Sequence, residues 1–180
     1  MPTPFHTLRL PVSLDFTQQQ LEDNYRQQSK LCHPDGGGST EDFEALTVAK
    51  AQLEDPAKRL TAYLQAAHPG TNLDRGAISP EIADLFPIVA TLLESTKAAL
   101  ASYDSAQSAL QKALLQPRLL ELQAKVSSEL DHLSQLERQF SSRAADHVPP
   151  QELGELARSI TFIQKWRAQL QAEYGKLWVG

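Results

Sequence analysis

Three consecutive residues, His33-Pro34-Asp35, carry the chemistry that most asks for a partner. An imidazole and a carboxylate flank a proline whose ring fixes φ and keeps the preceding residue out of the helical region. A carboxylate displayed on such a turn can take a charge-assisted hydrogen bond from an arginine of another molecule. Taken alone, the three residues are also what an ordinary polar turn contains. Cys32 precedes them, so three metal-ligand types fall within four residues. Ligands crowded at one turn rarely complete a site, and no metal or cofactor is expected. No phosphate-binding loop, nucleophile elbow or pair of catalytic carboxylates occurs elsewhere. His6, His68, His132 and His147 are scattered and read as surface residues.

The flanking segments decide between these readings. Thr17 to Gln20 fits a capping box, with Phe16 and Leu21 placed for a hydrophobic staple. Leu21, Tyr25, Gln28 or Ser29, and Leu31-Cys32 follow at helical spacing. Glu22, Asp23, Arg26, Gln27 and Lys30 take the opposite face, and Pro34 stops the helix. Gly36-Gly37-Gly38 reads as a loop. Ser39 is the next N-cap, with Asp42 at the third helical position and a stripe of Phe43, Leu46, Ala49 and Leu53. Asp55-Pro56 breaks that run and opens another, whose apolar face is Leu60, Tyr63 and Leu64. Upstream, Phe5 to Leu10 is a short apolar segment, helical turn or coil, anchored by Phe5 and Leu8 and ended by Pro11. Two helices of matched length on either side of the tripeptide could pack antiparallel and present it at their tip, a rigid way to display a few polar groups.

Residues 71–78 read as a linker. Ser79-Pro80-Glu81 starts a helix, with a capping serine, proline at the first position and an acid in the first turn. Leu85, Val89, Leu92, Leu93, Leu100 and Tyr103 continue it, and Pro87 is expected to kink or split it. A further run covers Leu110, Leu114, Leu119, Leu122, Val126, Leu130, Leu133 and Phe140, with Pro117 as a break or restart. After a turn, a last helix from Pro150 places Leu153, Leu156, Ile160, Ile163, Leu170, Tyr174 and Leu177 on a seam interrupted by Arg167. Three long amphipathic helices with short connections predict an antiparallel bundle. The expected fold is therefore all-α, in two parts: residues 1–70, and residues 79–180 beyond the linker.

Composition narrows the partners. The net charge is −5 and lysines and arginines are not clustered, which disfavours nucleic acid. One cysteine permits no internal disulfide. The N-terminus lacks the basic and apolar regions of a secretory signal. No run approaches the roughly 20 apolar residues that span a bilayer. A cytoplasmic protein, without a membrane partner and monomeric, is the expectation.

The first seventy residues resemble a J-domain, through Phe5 and Leu10, Leu21 and Tyr25, His33-Pro34-Asp35, then Leu53 with Asp55-Pro56 and Arg59. The whole chain is similar to the HscB family of J-type co-chaperones in iron–sulfur cluster assembly. That similarity adds the opening Phe5-His6-Thr7-Leu8-Arg9-Leu10-Pro11, the C-terminal three-helix bundle, and Thr161-Phe162-Ile163-Gln164-Lys165 in the last helix. The resemblance implies a non-enzymatic role: docking on a DnaK/HscA-class chaperone ATPase, triggering its ATP hydrolysis, and delivering an iron–sulfur scaffold protein of the IscU type. It implies chaperone contacts from His33, Pro34 and Asp35, with Tyr25, Arg26 and Lys30 on the preceding helix. It implies scaffold contacts from Val89, Leu93 and Glu94 on the first bundle helix and from Phe162 on the last; Trp166, one turn further on the same face, is a second aromatic candidate, unless the two aromatics fill the bundle core.

The sequence departs from that pattern in three places. Residues 1–70 hold six Lys/Arg against nine Asp/Glu, so electrostatic steering onto an acidic chaperone surface should be weak. Gly36 stands where a lysine commonly follows the tripeptide. The acidic run of the family's first bundle helix is largely missing. Two other readings therefore stay open: a divergent J-domain co-chaperone with another client, and a structural helical oligomerisation protein with an incidental tripeptide.

Overall fold

The computed structural model describes residues 2–32, 38–72 and 76–178. Among these the chain is all-helical, with seven helices and no strand. They are α1 (Pro4–Thr7), α2 (Gln18–Cys32), α3 (Thr40–Glu54), α4 (Pro56–Ala67), α5 (Pro80–Ser105), α6 (Ala109–Ser142) and α7 (Pro150–Lys176). They form two compact units, each drawn from separate stretches: Met1–Ala77 with Phe140–Ile160, and Ile78–Gln139 with Thr161–Gly180. The turn between α6 and α7, which the sequence segmentation gave to the C-terminal part, thus belongs with the N-terminal helices.

In the first unit α3 packs on α1, α2 and α4. Its stripe Leu46, Ala49 and Leu53 is buried, as are Phe5, Leu8, Leu21, Leu60 and Leu64. Local chemistry sets the helix ends. The Thr17 amide donates to Gln20 Oε1 at 2.7 Å and the Gln20 amide to Thr17 Oγ1 at 3.2 Å, a reciprocal capping box. Ser39 caps α3 through the Asp42 amide. Asp55 Oδ1 accepts from the amides of Ala57 and Lys58 at the start of α4. The end of α1 is tied to α2: Arg9 adopts a left-handed φ of 53°, and the Asn24 amide donates to the carbonyls of Leu8 and Arg9 at 3.0 and 3.1 Å. Arg59 is desolvated, which lowers its pKa. Its guanidinium lies 4.7 Å from the Phe16 ring centroid and its Nε donates to the Leu53 carbonyl.

One long-range polar contact joins the returning segment to this core. Asp146, in the α6–α7 turn, accepts from the Leu14 amide at 2.7 Å across 132 residues of chain. The Tyr63 phenol is buried, and that burial, with the Asp146 carboxylate adding to it, raises its pKa.

In the second unit the helices are longer and the seam is apolar: Ile82, Leu85 and Val89 of α5, Leu122, Val126 and Leu133 of α6, Ile163 and Leu170 of α7. Arg167, the residue that interrupts the α7 seam, pairs with Glu137, which also accepts from Gln164 Nε2 at 2.9 Å. The expected split at Pro87 and the expected break or restart at Pro117 do not occur. α5 runs unbroken through Pro87 and α6 through Pro117. In each case the carbonyl left without its i+4 donor, on Ala83 or Ala113, belongs to an exposed turn that water can solvate. Ser79 occupies the N-cap of α5 but makes no capping side-chain bond. Leu110 and Leu114, assigned to the α6 seam, lie 70% and 72% exposed. α5 is also long and apolar enough, by length and composition, to cross a membrane, against the expectation that no run approaches this. Core helices of soluble proteins pass the same test.

Replacing Asp146 by Ala should cost about 1–2 kcal/mol in urea unfolding, because the Leu14 amide loses its acceptor. Tyr63 adds a pH test. A folded pKa above the unfolded value of about 10 favours the neutral phenol in the fold. That contribution is complete below about pH 10 and is lost as pH rises through the folded value. Tyr63→Phe should therefore show a shallower loss of stability above pH 10 than the wild type.

Candidate functional site

The exposed side of α2 carries part of the candidate chaperone surface. Arg26 and Lys30 are both exposed, and Arg26 Nη1 lies 4.0 Å from Asp23 Oδ1, the outer limit of an ion pair. Tyr25 is half-buried for a local reason. Lys50 of α3 reaches across, with its Nζ 5.0 Å from the Tyr25 ring centroid, 3.2 Å from Glu22 and 2.9 Å from Glu54. The Glu54 hydrogen bond, with Glu22 adding to it, holds the Lys50 pKa above its ordinary value despite partial desolvation. Tyr25 thus offers at most one ring face, while Arg26 and Lys30 point to solvent.

His33, Pro34 and Asp35 lie outside the described residues, between the end of α2 and the start of α3. Gly38, the first described residue beyond them, lies so close to Cys32 that a Cβ would collide with the Cys32 backbone. A side chain at position 38 would have to move the chain. Cys32 is a half-buried free thiol. Among the described residues no group of three or more His, Cys, Asp or Glu is arranged to hold a metal ion.

The candidate client surface is in the second unit. Phe162 is half-buried and belongs to an aromatic cluster. The Phe86 ring centroid lies 5.1 Å from that of Phe162 and 4.7 Å from that of Trp166, both edge-on, and Phe162 and Trp166 are 6.0 Å apart. Trp166 is only 6% exposed and Val89 1%. Neither can be a primary contact residue, because both side chains are spent on the core of the unit. Leu93 is half-buried and Glu94 exposed. Of the candidate residues, Leu93, Glu94 and Phe162 keep surface in solvent, and Phe86 joins Phe162 against the buried Trp166.

Phe86 escaped the sequence reading because it stands one residue off the Leu85/Val89 seam and next to a proline expected to break the helix. A signal existed: Phe86 precedes Leu93 by seven residues, two helical turns, so the two share a face. No family model, curated protein or solved structure matches the chain.

The chain has two tryptophans, Trp166 buried and Trp178 exposed. In a Trp178→Phe background, Phe86→Ala should shift Trp166 emission to the red by admitting water over the indole. It should cost about 1–2 kcal/mol of stability, little for a phenylalanine because Phe86 is already 38% exposed. Unchanged emission would show that the cluster does not shield Trp166.

Proposed function

We propose that this chain is a J-domain co-chaperone of the HscB type, which stimulates the ATPase of a DnaK/HscA-class chaperone and delivers an iron–sulfur scaffold protein of the IscU type to it. The observation that carries the reading is the order of parts around the tripeptide. A short helix anchored by Phe5 and Leu8 leads to α2, α2 ends at Cys32 directly before His33-Pro34-Asp35, and α3 starts at Thr40 and packs back on α1 and α2. Asp55-Pro56 then opens α4, and Arg59 is locked on Phe16. Phe5, Leu21, Leu53, Asp55-Pro56 and Arg59 are among the positions through which the sequence resembles a J-domain, and their part in helix packing and capping supports the reading.

In this reading the chain does no covalent chemistry. Asp35 pairs with an arginine of the chaperone, His33 adds a polar contact and Pro34 limits the turn. Arg26 and Lys30 supply the positive edge of the docking face. Their number is small and the surrounding segment is acidic, so affinity rests on short-range contacts and depends only shallowly on salt. The client is held by Phe86, Leu93 and Phe162, with Glu94 as the polar neighbour. A partly exposed aromatic pair on a buried indole has the rigidity of an interface anchor.

Single-turnover ATP hydrolysis by the DnaK-class chaperones of the same organism tests the first half. Stimulation by the wild-type chain should vanish with His33→Gln. A folded wild type that stimulates none of them overturns the reading. For the second half, titration with the scaffold protein should show binding weakened about tenfold or more by Phe162→Ala and by Phe86→Ala, a loss of at least ~1.4 kcal/mol each. Chaperone stimulation without scaffold binding would leave a J-domain co-chaperone with a different client.

A further inference from the structure

The second unit holds an open cleft of about 660 Å3 between α5 and α6, lined by other residues than the aromatic cluster. Its volume falls in the ~300–1,000 Å3 range of small-molecule pockets. Leu122 of α6, 1% exposed, gives the cleft an apolar floor; Ile88 and Leu92 of α5 line the facing wall. Ile88 is 52% exposed, a large apolar side chain left in water inside a concavity. Arg118 and Lys125 line the α6 side, one turn to either side of Leu122.

The two cations already show what they can hold. Both reach the carboxylate of Glu121: Arg118 Nη1 lies 2.7 Å from Oε2 and Lys125 Nζ 2.6 Å from Oε1. The pair lowers the Glu121 pKa, Lys125 first and Arg118 second. One carboxylate thus satisfies both cations at once, at the edge of an apolar trough. All three side chains are about half exposed, and solvent-exposed ion pairs of this kind are weak. An incoming carboxylate can also bury a hydrocarbon chain in the cleft, a gain that Glu121, which is not among the lining residues, does not make. Glu129 also lines the cleft, and its carboxylate lies 3.3 Å from His132 Nδ1.

We propose that this cleft binds a single long-chain carboxylate, its head between Arg118 and Lys125 in exchange with Glu121, and its chain along Ile88, Leu92 and Leu122. The site does not depend on the co-chaperone reading, since it shares no residue with the client surface.

Dodecanoate, below its micelle concentration, is the probe, with the full chain titrated by calorimetry and by methyl NMR. Binding should shift the methyl resonances of Ile88, Leu92 and Leu122. Arg118→Gln and Lys125→Gln should each weaken it by about fivefold, and Glu121→Gln should tighten it by about threefold. Three results would overturn the proposal: dodecanol binding as tightly as dodecanoate, affinity unchanged in Glu121→Gln, or shifts confined to the residues around Phe86 and Phe162. Binding only to anionic vesicles and not to free dodecanoate would equally refute a single-chain site. The three charge variants sit on an exposed helix face, so loss of fold does not confuse the outcome.

Discussion

The hydrogen bond from the Leu14 amide to Asp146 is short, and it spans most of the chain. It marks the return of the 140–160 segment to the first unit. The four N-terminal helices bury a small core, and segments of this size are marginal on their own. The 140–160 segment supplies what they lack: Phe140, Leu153, Leu156 and Ile160 are all buried, and Arg158 Nε donates to the Ala77 carbonyl at 3.0 Å. Closing so long a loop costs entropy only logarithmically in its length, so the arrangement is thermodynamically inexpensive. Kinetically it matters more, because contacts distant in sequence form late. Local helix signals can act early, while the unit is complete only once the far end of α6 and the start of α7 exist.

Display and packing compete for the same side chains in both units. On α2 the face away from the core keeps its charges in water, and where an aromatic sits at the border, as Tyr25 does, Lys50 of the neighbouring helix covers it. On α5 and α7 the balance falls the other way. Trp166 goes into the core and becomes the support on which Phe86 and Phe162 rest edge-on. An aromatic held by a buried neighbour loses little conformational entropy when a partner covers it, which is what makes such positions efficient anchors. Burial of Val89 and exposure of Phe86 have a single cause: the face of α5 that meets the core runs through Ile82, Leu85 and Val89.

What the sequence made legible was local. Thr17 with Gln20 and Ser39 with Asp42 are bonds between residues three apart, readable because donor and acceptor lie within the same short pattern, and Asp55-Pro56 marked the start of α4. The all-helical class followed from periodicity. Neither Pro87 nor Pro117 breaks its helix, because a proline costs a helix most where the orphaned carbonyl is buried, and the sequence does not say that Ala83 and Ala113 are exposed. Leu110 and Leu114 continue the periodic pattern of α6 into a stretch where no partner helix covers it. Asp146 could not be singled out at all: an aspartate in a turn is unremarkable until its distant acceptor role is known. The tripeptide was legible as a motif, and its bracketing by two helices was legible as a pattern; its contacts were not.

Cys32 is the chain's only thiol and it stands at the last residue of α2, next to the segment of interest. A maleimide dye or spin label can therefore be attached at one defined place without first building a cysteine-free background. The indoles, in contrast, both fall in the second unit, at Trp166 and Trp178. Intrinsic emission and an extrinsic label would thus report on different parts of the molecule, giving two separate optical channels from the unaltered sequence.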